Sequence, residues 1–139
     1  MTPAEEVNER IIIAHFLGME GGTKRNIWGA YDLYMAYNGT LEFSGFAPIT
    51  GKQEILDALF PDPDSDEGVT VIIPRLANIV CKDNFVFTER TDKYYDKDKN
   101  LLATIKASGT MEMNAGKIKR WSDYGDLRPL ADIFGLEMT

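Results

Sequence analysis

Cysteine and histidine are almost absent from this chain, which has one of each in 139 residues. The lone Cys81 cannot close an intramolecular disulfide, and its place in an apolar run predicts an inert buried thiol. The single histidine, His15, falls on a predicted helix with a broad apolar face, and no other His or Cys offers metal-ligand spacing. We therefore expect a core role for His15, no metal and no thiol nucleophile.

Basic residues are scarce relative to acidic ones. The 15 Lys and Arg against 22 Asp and Glu give a formal net charge of −7 and a pI near 4.7. No basic patch or polybasic arm is present to neutralise phosphates, so we expect neither nucleic acid nor an anionic membrane as partner. The predicted ligand is a neutral or apolar small molecule.

Long hydrophobic runs are missing as well. The longest early run covers residues 11–14, follows acidic residues and is too short for the core of a signal peptide. No segment has the length of a transmembrane helix. The default expectations are a cytoplasmic location and a single domain over residues 1–139.

Three helix starts are predicted in the N-terminal half, each from a Thr that precedes apolar residues at helical spacing. The predicted helices cover residues 2–18, 23 to about 39, and 50–60. The first carries Pro3 at its first helical position, and the first two should form a helical hairpin.

From residue 40 the pattern changes to period two. The predicted strands cover residues 40–44, 69–80, 85–95, 101–113 and 117–124, and a short helix over 127–134 follows them. Short turns join the last four strands, so they should be antiparallel neighbours. Helices followed by such a meander predict an α+β domain, with the helices packed on one face of a curved, mostly antiparallel mixed sheet and a deep apolar pocket between them.

Two polar pairs at i, i+2 spacing stand out in these strands. Arg90 and Asp92 fall in one predicted strand, and Trp121 and Asp123 fall in another. Residues two apart on a strand share a face. Neighbouring strands would therefore bring two carboxylates around one guanidinium, which is an acid/base arrangement.

The residues around these pairs carry a resemblance. Thr88-Glu89-Arg90-Thr91-Asp92 and Gly116 to Tyr124, with Gly-Lys-Ile and Trp-Ser-Asp-Tyr in order, look like the limonene-1,2-epoxide hydrolase family. This family lies within the SnoaL-like and nuclear transport factor 2-like superfamily, whose fold is a cystatin-like α+β cone. The resemblance covers the N-terminal half by pattern only.

The resemblance implies a function and a set of roles. In that family an Asp-Arg-Asp triad opens an epoxide to a vicinal diol in one step, without a covalent enzyme intermediate. Asp123 would be the general base on water, Asp92 the general acid to the epoxide oxygen, and Arg90 the bridge between them. The implied substrate is an epoxide on an apolar terpenoid or polyketide-like skeleton, and the implied assembly is a homodimer.

One part of the family pattern is absent. The family holds the attacking water with a Tyr-x-Asn pair on its first strand, and the best alignment places Glu42 and Ser44 there. Both side chains can bind water, but Glu42 would add a third carboxyl to the pocket. An isomerase or cyclase that adds no water is therefore the alternative function, and a non-catalytic binding module on the same fold is a third.

Plainer interpretations exist for the same residues. An Arg-x-Asp pair on a strand often makes solvated ion pairs, and a Trp-x-Asp pair is often a core aromatic followed by a turn. Glu42 could face solvent or pair with Lys52 or Arg75. Trp28 and Tyr31 belong to an aromatic stripe typical of a helix core, although in a cone such residues also line the pocket, which makes both candidates for substrate binding along with Trp121.

Overall fold

Four helices and six strands follow one another in the computed structural model, which describes residues 1–139. The helices are α1 (Pro3–Gly18), α2 (Lys24–Tyr34), α3 (Lys52–Leu59) and α4 (Pro129–Phe134). The strands are β1 (Met35–Phe43), β2 (Ile49–Thr50), β3 (Val71–Lys82), β4 (Phe85–Tyr95), β5 (Leu101–Asn114) and β6 (Lys117–Gly125).

All six strands form one sheet in the order β2-β1-β6-β5-β4-β3. Strands β1 and β6 are parallel, and every other neighbouring pair is antiparallel. A register shift between Leu76 and Asn78 interrupts the β3–β4 ladder, and such bulges bend and twist a strand. The predicted α+β class, with helices on one face of a curved mixed sheet, is confirmed.

The first two helices begin as the sequence predicts. Thr2 and Thr23 each form a capping box in which the Thr side chain accepts from the backbone N–H three residues later. The partner side chains of Glu5 and Asn26 accept from the two cap N–H groups in return. These reciprocal bonds satisfy donors that a helix start otherwise leaves unpaired.

The predicted end of the second helix is wrong. Helix α2 ends at Tyr34, because Met35 adopts an extended backbone and starts β1 by pairing with Ile118. Tyr37 therefore lies on a strand and is 87% exposed, so it does not continue the aromatic stripe. Tertiary pairing with β6 overrides the helical spacing of the aromatic residues here.

The predicted cap of the third helix is also wrong. Thr50 belongs to the two-residue strand β2, which the sequence pattern missed, and pairs with Thr40 of β1. The N-cap of α3 is Gly51 at φ +101°, and no side chain caps it. A positive φ of this size suits glycine, which lets the chain turn directly from β2 into α3.

Helices α1, α2 and α3 cover one face of the sheet, which we call the inner face; the opposite face is the outer face. Apolar side chains from both layers, such as Ile12, Ile27, Leu56, Met111 and Ile118, are buried between them. Cys81 is buried as predicted, and burial together with nearby acidic groups raises the pKa of its thiol. No helix has the length and apolar character needed to cross a lipid bilayer.

Candidate active site

Strand β4 supplies the central group of the site. Thr88, Arg90, Asp92 and Tyr94 alternate along it, share the inner face and are all buried. On β6, Trp121 and Asp123 share that face and are buried as well. Residues two apart on each strand share a face as predicted, and the structure brings together Arg90, Asp92, Trp121 and Asp123.

The two strands are not direct neighbours, because β5 lies between them. Gly109 of β5 pairs with Thr88 on one side and with Asp123 on the other. A Cβ atom at Gly109 would lie 2.5 Å from Asp123 Oδ1 and 2.6 Å from Arg90 Nη1. The missing side chain thus provides the space in which Arg90 reaches across β5. Sequence analysis missed Gly109, although a glycine inside a predicted strand is a recognised sign of close approach.

Arg90 uses all five of its N–H donors. Nε and Nη2 donate to Asp92 Oδ1 and Oδ2 at 3.1 and 2.9 Å. Nη1 and Nη2 donate to Asp123 Oδ1 and Oδ2 at 3.1 and 2.8 Å. The last donor, on Nη1, binds Thr88 Oγ1 at 2.9 Å. The guanidinium is therefore fixed in one plane between the two carboxyl groups.

Aromatic rings complete the surroundings of the triad. Trp121 Nε1 donates to Asp123 Oδ1 at 2.8 Å, which gives this carboxylate a third donor group. The guanidinium carbon of Arg90 lies 4.7 Å from the ring centre of Phe16 on α1 and 5.9 Å from that of Trp121. Cation–π contacts of this kind favour the charged guanidinium in a dry site.

Burial separates the protonation behaviour of Asp92 from that of a surface carboxylate. Burial raises the pKa of Asp92, and the nearby charge of Asp123 adds to it, although Arg90 acts in the opposite direction. Burial would lower the pKa of Arg90, but the two carboxylates outweigh it and raise it. Asp92 thus keeps a proton to higher pH than an ordinary aspartate, beside a permanent cation. The triad can accordingly supply an acid and a base together.

Solvent reaches the two carboxyl groups but not the cation. The side chains of Asp92 and Asp123 are 7% and 6% exposed, whereas that of Arg90 is fully buried. A water molecule can therefore touch either carboxyl group while the guanidinium only orients them.

The predicted deep apolar pocket is not open in front of the triad. Tyr31 stacks on Trp121 at 5.3 Å, and a chain of ring contacts continues through Phe60 and Phe134 to Tyr94. Five surface hollows with volumes from ≈ 240 to ≈ 580 Å³ are lined by neither Asp92 nor Asp123, and two minor hollows exist besides them. Aromatic side chains occupy the part of the cone where we expected an empty pocket.

Two predicted water-binding residues do not reach the site. Leu41 and Phe43 pair with Trp121 and Asp123, so it is they that share the inner face. Glu42 lies on the outer face, where it accepts a hydrogen bond from Ser122 at 3.0 Å. Ser44 is exposed beyond the end of β1. Residues one apart on a strand point to opposite faces, so the positions beside Trp121 and Asp123 belong to Leu41 and Phe43.

Of the two predicted aromatic binding residues on α2, one lies at the site and the other does not. Tyr31 lies at the site through its stacking on Trp121, whereas Trp28 is half-buried under Arg25 and makes no ring contact with Tyr31 or Trp121. His15 is fully buried with its ring 4.9 Å from that of Trp121. Burial and the charge of Arg90 lower the pKa of His15 to about 3, although a hydrogen bond to Ala30 O opposes them, so His15 is a neutral core residue. No group of three or more His, Cys, Asp or Glu side chains has metal-binding geometry.

No protein-family model matches this chain, and no curated protein matches it either. Solved structures match it over nearly its full length. An LEH-like epoxide hydrolase from M. tuberculosis is 21% identical, with a TM-score of 0.72 over 96% of this chain and 89% of that one. A putative SnoaL-like polyketide cyclase from Jannaschia sp. CCS1 is 11% identical, with a TM-score of 0.68 over 96% and 95%.

A third structure widens the range of functions on this fold. A hypothetical protein from Catenulispora acidiphila with a ketosteroid isomerase-like fold is 16% identical, with a TM-score of 0.62 over 99% of this chain and 96% of that one. These similarities establish the nuclear transport factor 2-like and SnoaL-like fold. Proteins named as an epoxide hydrolase and as a putative cyclase share it.

Proposed function

We propose that this protein is a cofactor-independent epoxide hydrolase of the limonene-1,2-epoxide hydrolase type. The observation that carries the proposal is the buried triad, in which Arg90 donates four of its five hydrogen bonds to Asp92 and Asp123. A neutral epoxide needs a nucleophile at carbon and a proton at the departing oxygen, and this pair of carboxyl groups supplies both functions.

The reaction follows from the surroundings of each carboxyl group. Asp123, with three donor groups on it, acts as the carboxylate that removes a proton from water while the water oxygen attacks an epoxide carbon. The carbon–oxygen bond on the far side breaks, and Asp92 gives its proton to that oxygen. The diol leaves, and transfer of the water proton from Asp123 to Asp92 through solvent restores the enzyme. Each positioned proton transfer contributes on the order of 10² to 10⁴-fold.

Arg90 makes this division of roles workable. Two buried carboxylates this close would otherwise resist ionisation together. Arg90 donates to both carboxyl groups, so its one positive charge is shared between them. The raised pKa of Asp92 supports its role as the acid.

The sequence resemblance supports the same assignment. Arg90, Asp92, Trp121 and Asp123 all occupy signature positions, and the structure gathers all four. The M. tuberculosis LEH-like epoxide hydrolase has the same fold.

The aromatic filling of the cone favours a small apolar substrate. A hollow of ≈ 260 Å³ lined mainly by apolar side chains, including Leu41, Phe43, Phe46 and Leu136, lies on the β1 side of the site. Phe43 lines this hollow and is also the β1 residue beside Asp123. We propose that the epoxide approaches by this route, with Phe43 moving aside.

A second candidate function has one observation in its favour. Where the family holds water with polar residues on its first strand, the inner face of β1 carries Leu41 and Phe43. A site without those polar groups suits an isomerase or cyclase that moves protons on an apolar intermediate. The SnoaL-like fold is also that of a putative polyketide cyclase.

Turnover of a panel of cyclic and acyclic epoxides, read by mass spectrometry, tests the proposal. The native chain should form diols, and both Asp92→Asn and Asp123→Asn should lose at least about 10²-fold in kcat/KM. Asp126→Asn is the matched control, because Asp126 is an exposed aspartate paired with Arg128 outside the site. No diol from any epoxide, or full activity in Asp123→Asn, contradicts the proposal.

Two further expectations stay proposals. The homodimer is tested by light scattering of the purified chain, for which a single-chain mass is the contrary result. Exclusion of nucleic acid as a partner is tested by a shift assay at low salt, where the net charge of −7 predicts no binding.

A further inference from the structure

Each reacting oxygen atom needs a second hydrogen-bond partner besides Asp123 or Asp92. An attacking water must be oriented by a second group besides its base, and the epoxide oxygen gains charge as its bond to carbon breaks. Strand β1 cannot help, because its inner-face residues beside the triad are Leu41 and Phe43. Arg90 cannot help either, since each of its N–H groups already binds Thr88, Asp92 or Asp123.

Two tyrosines reach the site from different directions. Tyr94 follows Asp92 at i+2 on β4, so both side chains share the inner face. Tyr31 comes from α2 and lies nearly parallel to Trp121, at 12° and 5.3 Å, and Trp121 in turn donates to Asp123. Tyr31 thus stands on the Asp123 side and Tyr94 on the Asp92 side.

The hydroxyl groups of both tyrosines lack a partner in the protein. Tyr31 and Tyr94 are only 3% and 7% exposed, yet neither hydroxyl makes a hydrogen bond to another residue. The only fully buried side-chain polar atoms without a partner are His15 Nε2 and Thr70 Oγ1, so both hydroxyls retain surface that water can touch. Each hydroxyl is therefore free to bind a water molecule or a substrate oxygen.

The charge environment keeps both groups as donors. Burial raises the pKa of Tyr31, with Asp123 and Asp92 adding to it and Arg90 opposing. Burial also raises the pKa of Tyr94 far above its usual value, followed by the charge of Asp92. Both phenols therefore stay protonated at any working pH, and both stand in the field of the two carboxyl groups.

We propose that the hydroxyl groups of Tyr31 and Tyr94 hold the two reacting oxygen atoms, in place of the polar pair that β1 lacks. Tyr31 binds the attacking water together with Asp123, and Tyr94 donates to the epoxide oxygen together with Asp92. This inference rests on the proposed hydrolase function. Neither phenol gains or loses a proton overall, since the water proton goes to Asp123 and the epoxide oxygen takes its proton from Asp92.

Conservative substitutions separate this role from ring packing. Tyr31→Phe keeps the stacking on Trp121 and Tyr94→Phe keeps the contact with Phe134, so both variants should fold. Each should lose on the order of 10² to 10³-fold in kcat, as removal of one positioned donor does elsewhere. Tyr95→Phe is the control, because Tyr95 follows on the same strand with its side chain on the other face, and it should keep native turnover.

A crystal structure of the native chain gives a second readout that does not depend on turnover. We expect an ordered water within hydrogen-bond distance of Tyr31 Oη and an Asp123 oxygen, and we expect Tyr31→Phe to lose it. Native turnover in both Phe variants, or no water on either phenol, overturns the inference while leaving Asp123 as base intact. Failure of the hydrolase proposal itself gives different results, namely no diol from the native chain or unchanged activity in Asp123→Asn.

Discussion

The two faces of the sheet carry the same kinds of polar residue with opposite consequences. On the inner face Arg90 joins Asp92 and Asp123, and all three side chains are at least 93% buried. On the outer face Arg120 donates to Ser122 at 2.6 Å and approaches Glu112 at 3.6 Å, while Ser122 donates to Glu42. There the ion pair is 31% and 22% exposed.

This contrast shows that burial is what suits an ion pair for acid/base catalysis. Solvent screens the outer group, so its ion pair and hydrogen bonds add little stability. Burial of the inner group shifts the proton affinity of Asp92 and leaves few waters to compete with substrate. Strands β4 and β6 contribute to both faces, and a shift of one residue decides which environment a side chain meets.

Arg90→Met should have the largest effect, because it leaves Asp92 and Asp123 buried without a cation. We expect a loss of about 3–5 kcal/mol in the free energy of unfolding at neutral pH, together with loss of turnover. Denaturant unfolding by circular dichroism measures the first. A stability within about 1 kcal/mol of the native value would show that the inner group resembles a surface ion pair.

Gly109→Ala should rank second. The new methyl group would fall 2.5 Å from Asp123 Oδ1 and 2.6 Å from Arg90 Nη1, so the triad must separate. We expect a loss of about 1–3 kcal/mol in unfolding free energy and a loss on the order of 10²-fold in kcat/KM.

Gly29→Ala is the matched control for that substitution. Gly29 lies inside α2 with no atom near the position of a Cβ, so alanine should raise the unfolding free energy by about 0.5–1 kcal/mol. Equal stability changes of the same sign in the two variants would contradict the steric account of Gly109.

The dependence of stability on pH should have opposite signs for a buried and an exposed aspartate. The pKa of Asp92 is higher in the folded state than in the unfolded state. Its stabilising contribution to the free energy of unfolding is therefore fully present below the unfolded-state pKa near 3.8, and it is lost as pH rises through the folded-state pKa. Arg128 lowers the pKa of exposed Asp126 to about 2 in the folded state. The stabilising contribution of Asp126 is therefore present above its unfolded-state pKa near 3.8 and is lost as pH falls toward 2.

Chemical denaturation across pH, with Asp92→Asn and Asp126→Asn beside the native chain, measures both effects. From pH 4 upward the native chain should lose stability relative to Asp92→Asn, whereas from pH 4 downward it should lose stability relative to Asp126→Asn. The same sign for both variants would mean that burial does not govern Asp92.

Arg120→Met should have the smallest effect and is the counterpart of Arg90→Met. The outer-face arginine is partly exposed and its ion pair with Glu112 is long, so we expect a loss of about 0–1 kcal/mol in unfolding free energy. Turnover should equal that of the native chain. A loss of activity comparable to that in Arg90→Met would indicate that the outer face also takes part in catalysis.

Local pattern was enough for much of the fold and for the centre of the site. The period of two placed Arg90 beside Asp92 and Trp121 beside Asp123, and capping residues placed the starts of α1 and α2. These features depend on neighbours within a few positions, which a sequence displays directly.

Features that depend on tertiary pairing were missed. Alternation over residues 40–44 already separated Leu41 and Phe43 from Glu42, but the alignment with the family put Glu42 in the pocket, and only the register of β1 against β6 shows which face is inside. The end of α2 at Tyr34 and the short strand β2 have the same origin in pairing with distant residues. Gly109 gains its importance only because Arg90 and Asp123 meet over it across β5. The filled interior likewise depends on ring contacts between elements far apart in sequence.

A single-turnover reaction in heavy-oxygen water, with enzyme in excess over an epoxide that the native chain accepts, tests the central claim most directly. One-step attack by a water on Asp123 predicts a diol that carries the heavy oxygen from the first turnover, with no label in the protein. An unlabelled first-turnover diol with label later found in an aspartate would show a covalent intermediate, and a product of unchanged mass would show rearrangement without water. Either result contradicts the account of Asp92, Arg90 and Asp123 as a one-step acid/base triad.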